Sequence, residues 1–335
     1  MPHHSTRLKD LMFSDMYIAA DPSISSQHEV VYFRPTPVIG SDERGVQPLP
    51  ESYAHDISSL RKMLSKYHAK EFRIVYDDVL YRVAVLPDIN APWYILRRGF
   101  SVLPALSDLG MKPIVADRLL KLGQGYGLIL VAGAMGSGKT TTCSSLFCEY
   151  LSHYGNVGVT VEDPAELPLS GLVGKGICYQ IEVDHDDWET PLKKVFRFAA
   201  RYLFVGEIRT PAAATQALRA AARGLLVVAT VHANNIVDGL HVVKVLAASQ
   251  EGEEVALMML AETIKAIMVT SLNPRLEVTS LFAENNAADP LGIMIRDGKF
   301  SQIGTLIQQQ EALVARQEKE EKMRAMTNVT TTKQR

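Results

Sequence analysis

The sequence lacks several features that would place a protein in a membrane or in an oxidising compartment. It has three cysteines in 335 residues, Cys143, Cys148 and Cys178, and no two of them form a C-x-x-C pair. Neither a zinc site nor a disulfide framework is therefore expected. No apolar run approaches the roughly 20 residues of a membrane-spanning helix, and the first residues, MPHHSTRLKD, predict no signal peptide. These absences predict a cytoplasmic protein.

An excess of charge of one sign is also lacking. The chain contains 35 lysines and arginines and 37 aspartates and glutamates, which gives a formal net charge of −2. Because such a balance creates no global field, we predict no direct binding of nucleic acid and no direct attraction to an acidic membrane surface. Apolar residues make up 47% of the chain, which at this length is enough for two packed domains.

The most informative stretch is residues 127–142, GLILVAGAMGSGKTTT. Its apolar start predicts a buried strand, and the glycines, Lys139 and Thr140 then follow at the spacing of a P-loop. Glycines let backbone N–H groups turn towards phosphate oxygens, Lys139 can reach the β- and γ-phosphates, and the Thr140 hydroxyl can hold Mg²⁺. The predicted nucleotide-binding residues are Gly133, Gly136, Ser137, Gly138, Lys139, Thr140 and Thr141. The sequence therefore predicts binding of ATP with Mg²⁺, because a strand before and a helix after disfavour a merely glycine-rich turn.

The chain before this stretch predicts a small α/β domain over residues 1 to about 105. Predicted strands lie at 16–20, 30–38, 72–76, 79–86 and 93–96, and a predicted helix covers about 51–67. Asp77 and Asp78 separate two of these strands and predict a hairpin. Residues 99–112 mix glycine, proline and serine and predict an interdomain linker.

From Pro113 onward, strands alternate with helices, which predicts a mostly parallel sheet covered on both faces. Predicted strands lie at 128–132, 157–161, 202–205, 225–230 and 278–282, and predicted helices at 192–199, 211–223, 237–248, 253–272 and 291–296. This domain is expected to end near residue 310. Residues 311–335 predict a charged helical run followed by a disordered polar tail, TNVTTTKQR.

Three polar clusters follow predicted strands of this second domain. They are Glu162, Asp163 and Glu166; Glu207 with Arg209; and His232. Because the carboxyl ends of parallel strands form a ligand crevice, we expect the clusters to converge on the nucleotide. Glu207 is the first choice for the carboxylate that polarises the attacking water, and Glu162 is the second, with a water-mediated hold on Mg²⁺ as its alternative role. His232 is expected to bond the γ-phosphate, the alternative being a structural histidine at a strand end.

In this order, the motifs resemble those of the secretion ATPases of type IV pili and type IV secretion, closest to the PilT-like branch. GAMGSGKTTT is similar to the family's P-loop, VEDPAE to its aspartate box, FVGEIR to its Walker B segment and TVH to its histidine box. FSDMYI at residues 13–18, LGM at 109–111 and IRDGK at 295–299 extend the resemblance, as does the spacing of Arg82 and Arg97.

The resemblance implies an α/β fold with a PAS-like N-terminal domain, a RecA-like P-loop core and a ring of six subunits. It implies that Arg82 and Arg97 lie near the nucleotide's phosphates and that Thr140 and Asp163 hold Mg²⁺. The catalytic set it implies is Glu207, Glu162, His232, Arg97, Arg82 and Arg209. The implied partner is a secretion or pilus platform protein of the inner membrane, which would hold the cytoplasmic ring at the membrane's inner face.

Three departures favour a secretion or conjugative-transfer machine over pilus retraction, which remains the alternative. Leu225 stands where the histidine box usually begins with histidine, residues 199–201 replace an acidic-proline turn, and Thr210 replaces a common aspartate. Type II secretion and pilus-assembly ATPases generally carry a tetracysteine zinc loop, which this sequence lacks. A nucleotide-gated adaptor without turnover is the alternative of another class. The joint presence of Lys139, Thr140, Glu162 and Glu207 argues against it.

Overall fold

A computed structural model describes residues 7–21, 31–35, 45–89, 91–98, 103–184, 187–272, 276–284 and 288–332. Its contacts divide the chain into two units, Met1–Val102 with Glu166–Pro168, and Leu103–Ala165 with Leu169–Arg335. Each unit has its own hydrophobic core. Of the predicted linker, residues 99–102 lie outside the described residues. None of the helices in the described part of the chain is both long and apolar enough to cross a membrane.

The described part of the first unit is an antiparallel sheet with an α-helix packed against it. Its elements are β1 (Phe13–Ala19), β2 (Val31–Pro35), β3 (Gln47–Pro48), α1 (Ala54–Leu64), β4 (Glu71–Tyr76), β5 (Val79–Leu86) and β6 (Trp93–Arg98), and its strand order is β3-β2-β1-β6-β5-β4. The predicted hairpin is confirmed, and Asp77 and Asp78 both adopt positive φ angles, 53° and 63°, as a tight two-residue turn requires. Residues 30 and 36–38 of the second predicted strand lie outside the described residues.

The second unit contains an eight-stranded sheet, which is mostly parallel as predicted. Its strands are β7 (Gly127–Gly133), β8 (Asn156–Glu162), β9 (Gly171–Val173), β10 (Gly176–Glu182), β11 (Tyr202–Val205), β12 (Leu226–His232), β13 (Ile264–Leu272) and β14 (Leu276–Phe282). Its helices are α2 (Pro113–Lys121), α3 (Lys139–Tyr154), α4 (Glu189–Lys194), α5 (Pro211–Ala222), α6 (Ile236–Glu251), α7 (Glu253–Thr263), α8 (Pro290–Arg296) and α9 (Ile303–Thr332). The strand order is β14-β13-β7-β12-β11-β8-β10-β9.

The P-loop strand β7 lies inside this sheet and is buried along its whole length. It pairs in parallel with β13 on one side and β12 on the other. Leu128, Leu130 and Ala132 belong to the core that α5 to α8 cover, whereas Ile129 and Val131, which alternate with them, are buried on the other face. A strand that is covered on both faces has a continuous apolar sequence, which is why β7 could be predicted.

Two parts of the predicted element order were wrong. The helix predicted at 253–272 ends at Thr263, and Ile264–Leu272 is strand β13. An apolar run of this kind fits a buried strand as well as a helix, and pairing with β7 and β14 decides in favour of the strand. The strands β9 and β10 were not predicted, because polar residues such as Tyr179 and Gln180 interrupt the apolar pattern of β10.

The C-terminal helix α9 also differs from expectation. It continues to Thr332, so residues 327–332 of the predicted disordered tail are helical. Ile303 and Val314 are buried, and the Gln310 side chain bonds both backbone groups of Phe282, accepting from its N–H at 3.0 Å and donating to its carbonyl at 2.8 Å. These contacts join the first half of α9 to the edge strand β14.

Candidate active site

The loop between β7 and α3 has the backbone geometry of a phosphate-binding turn. Gly133, Gly136 and Gly138 have φ angles of +155°, +75° and +89°, which residues with a Cβ rarely adopt. A Cβ at Gly133 would lie 2.3 Å from the Ser137 hydroxyl oxygen and 2.6 Å from the backbone oxygen of Thr270. The glycines therefore allow backbone angles that other residue types rarely adopt, and at Gly133 there is no room for a Cβ. Met135 at the tip of the turn is 85% exposed.

Lys139 begins α3 and is 7% exposed. Its Nζ donates to the backbone oxygens of Gly133 at 2.9 Å and Ala134 at 2.8 Å, and it lies 3.4 Å from His232 Nδ1. The Lys139 ammonium group is thus bonded to the backbone at the start of the P-loop. Thr140 and Thr141 follow in the first turn of α3, both partly exposed.

His232 links Lys139 to the predicted catalytic carboxylate. Its Nε2 lies 3.1 Å from Glu207 Oε1, while its Nδ1 faces Lys139. A neutral ring with its proton on Nε2 satisfies both contacts, since Nε2 then donates to Glu207 and Nδ1 accepts from Lys139. Strand pairing explains why His232 lies close to Lys139, because His232 at the end of β12 is in register with Gly133 at the end of β7.

Glu162 ends β8 at the same edge of the sheet, but it is enclosed. It is 2% exposed, and its Oε1 accepts from the Thr160 hydroxyl at 2.6 Å and from Gln180 Nε2 at 3.1 Å. A Cβ at Gly206 would lie 3.0 Å from Glu162 Cγ. Glu162 therefore takes the space that a side chain at position 206 would need.

Asp163 and Arg209, predicted as a metal ligand and a catalytic residue, form an ion pair with each other. The Arg209 guanidinium also lies 5.8 Å from the centre of the Trp188 ring. Within the described residues, no group of three or more His, Cys, Asp or Glu side chains is arranged to hold a metal ion. Mg²⁺ in phosphate-binding sites takes most of its ligands from phosphates and water, so a protein-built cage is not required.

Arg82 and Arg97 lie in the first unit, where strand pairing places them in a row of charged side chains. This arginine row consists of Arg34, Asp15, Arg97, Arg82 and Arg73, each opposite the next across neighbouring strands. Arg97 Nε donates to Asp15 Oδ1 at 3.0 Å, and Arg82 Nη2 donates to Glu71 Oε2 at 3.2 Å. Like charges directly opposite each other are destabilising, so the row concentrates positive charge on one sheet face at an energetic cost.

The sequence predicts some members of these groups and not others. Spacing and motif order identified Lys139, Glu207 and His232, which the structure brings together. The partners Thr160, Gln180, Asp15, Arg34 and Arg73 were missed, because they become visible only through strand pairing.

Residues 69–333 match the sequence family described as "Type II/IV secretion system protein". The chain is 30% identical over 237 residues to the protein transport protein HofB homolog of Haemophilus influenzae, covering 65% of this chain and 50% of that protein. It is 28% identical over 210 residues to the type IV pilus assembly ATPase PilB of Thermus thermophilus, covering 59% of this chain and 23% of that protein. The chain thus matches half or less of the length of these curated relatives.

Solved structures share the fold at low identity. The pilus retraction motor PilT with bound ADP has a TM-score of 0.69 at 24% identity, with coverage of 90% of this chain and 87% of that one. The Legionella pneumophila ATPase DotB has a TM-score of 0.63 at 18% identity, with coverage of 94% and 90%. These likenesses confirm the predicted fold class, and the family match over most of the chain shows that it belongs to the type II/IV secretion system protein family.

Proposed function

We propose that this chain hydrolyses ATP as a ring of six subunits and so powers a type IV secretion, conjugative-transfer or type IV pilus machine. The observation that carries the proposal is the continuous polar chain from Lys139 through His232 to Glu207 beside the P-loop. It brings a phosphate-binding cation, a group able to sense phosphate and a carboxylate to one edge of the sheet. Family membership and the PilT and DotB folds support the same activity.

The residues at this edge fit ATP and Mg²⁺. The glycine-rich turn can point backbone N–H groups at phosphate oxygens, and Lys139 would exchange its backbone partners for phosphate. Thr140 would hold Mg²⁺, whose charge would help to neutralise the phosphates, and Asp163 would join it on leaving Arg209. Arg82 and Arg97 are proposed to bind phosphate oxygens through their planar guanidinium groups.

Glu207 is the proposed general base. It would orient a water and take its proton as the water oxygen bonds to the γ-phosphorus and the bond to the β-phosphate oxygen breaks, giving ADP and phosphate. Its side chain is 31% exposed and bonded to His232, so water can reach it. Glu162 is enclosed by Thr160 and Gln180 and is the second choice for the base, with a water-mediated hold on Mg²⁺ as its alternative role.

Phosphate release by the purified chain tests this assignment. Glu207→Gln is expected to keep ATP binding and to lower turnover by about a hundredfold or more, because an amide cannot accept the water's proton. Lys139→Ala is expected to lose ATP binding or turnover. Glu254→Gln, the same change at an exposed position on α7, is the control and should behave like the wild type.

Two results would overturn the proposal. Near-normal turnover in Glu207→Gln together with loss in Glu162→Gln would move the base to Glu162. ATP binding without steady-state phosphate release by the wild type would instead make the chain a nucleotide-gated adaptor.

The machine itself can be identified in cells. We propose a cytoplasmic ring held at the inner face of the membrane by a platform protein, with conjugative or secretory transfer favoured by Leu225 and Thr210 over pilus retraction. A strain carrying Glu207→Gln should lose transfer while keeping normal levels of the protein. Unchanged transfer with lost pilus retraction would assign the chain to the pilus.

A further inference from the structure

The side-chain amide of Gln180 bonds two parts of the second unit, Glu162 through its nitrogen and the backbone at Leu169 and Ser170 through its oxygen. Its Nε2 donates to Glu162 Oε1 at 3.1 Å. Its Oε1 accepts from the backbone N–H groups of Leu169 at 2.7 Å and Ser170 at 3.0 Å. The same amide thus contacts the buried carboxylate at the end of β8 and the end of the loop that follows it.

Strand pairing fixes this geometry. β10 runs parallel to β8, with Gln180 opposite Thr160, and both side chains donate to the same Glu162 oxygen. A carboxylate that is 2% exposed depends on such donors, because burying a charge without them is costly. The orientation of the Glu162 side chain is therefore set by Thr160 on its own strand, β8, and by Gln180 on the paired strand β10.

Side chains of β10 also bond the backbone at both ends of this loop. Leu167 and Leu169 are each 4% exposed, and Glu182, two residues beyond Gln180, accepts from the backbone N–H of Ala165 at 3.1 Å. Two alternate side chains of β10 thus hold the two ends of residues 165–170. Of these two side chains, Gln180 also donates to Glu162.

We propose that Gln180 is a positioning residue for ATP hydrolysis, which couples the orientation of Glu162 to the backbone at Leu169 and Ser170. The inference rests on the proposed ATPase function. Glutamine suits this role because one planar group offers a donor to the carboxylate and an acceptor to the loop. An ionised glutamate at position 180 would keep the acceptor for the loop amides but lose the donor to Glu162. A leucine there would lose both.

Two substitutions separate the two bonds. Gln180→Leu should lower kcat by about ten- to a hundredfold, as loss of a supporting partner commonly does, and should speed hydrogen exchange at the Leu169 and Ser170 amides. Gln180→Glu should lower kcat to a similar extent by placing a like charge beside Glu162, while those amides stay protected. In both variants KM for ATP should stay close to the wild-type value, since neither changes the P-loop.

Gln309→Glu on the exposed surface of α9 is the matched control and should change neither readout. Wild-type turnover in both Gln180 variants would overturn the proposal. Loss of amide protection in Gln180→Glu would also overturn it, because the defect would then be a general loosening of the loop. A wild-type chain that releases no phosphate would instead refute the proposed function, and amide exchange in Gln180→Leu would still report whether Gln180 holds the loop.

Discussion

At the scale of single residues, Cys148 on α3 and Cys178 on β10 show how burial controls chemistry. Burial raises the pKa of each thiol to about 12, so both remain protonated at neutral pH and are poor nucleophiles. In the unfolded chain such thiols lose their protons at much lower pH, near 9. Between these two values the unfolded chain has released protons that the folded chain still holds, and rising pH therefore favours unfolding.

We expect the free energy of unfolding to fall between about pH 9 and 12, with a slope of up to about 1.4 kcal/mol per pH unit for each thiol. Below pH 9 the thiols add no pH dependence. Urea unfolding at several alkaline pH values measures the slope, and Cys178→Ser should flatten it. An identical pH dependence in wild type and variant would show that Cys178 keeps an ordinary pKa when folded.

At the scale of elements, the arginine row shows what a sheet can assemble from distant parts of the chain. Asp15 is 5% exposed and lies 3.0 Å from Arg97 and 3.7 Å from Arg34. Arg97 could therefore act on phosphate or only neutralise Asp15. We expect Arg97→Ala to lower ATP turnover by about a thousandfold, as loss of an arginine that stabilises transferring phosphate does in other P-loop enzymes.

The double variant Asp15→Asn/Arg97→Ala distinguishes the two roles. If Arg97 binds phosphate, removing the Asp15 carboxylate leaves turnover low in a steady-state assay. Recovery towards the wild-type rate would make Arg97 a structural partner of Asp15 alone.

The elements also show which parts of the fold a sequence can predict. β7 and the hairpin at Asp77 and Asp78 were predictable, because an apolar run before a P-loop and a two-residue acidic turn are local signals. β13 was not, since the apolar pattern of Ile264–Leu272 satisfies helix and strand alike until a neighbouring strand decides.

The candidate site divides in the same way. Lys139, Glu207 and His232 were predictable because each follows a strand within a motif. Gln180 has no motif of its own, and its role depends on the parallel register of β10 with β8. Register is a property of the folded sheet, so no spacing along the chain reveals it.

At the scale of the whole molecule, the proposed ring sets a requirement on assembly. Six identical subunits can close a ring only through a head-to-tail interface. We expect light scattering of the purified chain to give the mass of a hexamer, with assembly promoted by nucleotide or by higher concentration. A monomeric mass together with full ATPase activity at high dilution would contradict the ring.

The exposed tip of the P-loop gives this molecule a chemical vulnerability. Met135 is 85% exposed, so its thioether is open to peroxide, whereas burial shields the Cys143 thiol in the helix that follows. Conversion to methionine sulfoxide would replace an apolar side chain with a polar one inside the phosphate-binding turn, and methionine sulfoxide reductases could reverse it. Oxidation of Met135 would therefore alter the loop that is proposed to bind ATP, and reduction of the sulfoxide would restore it.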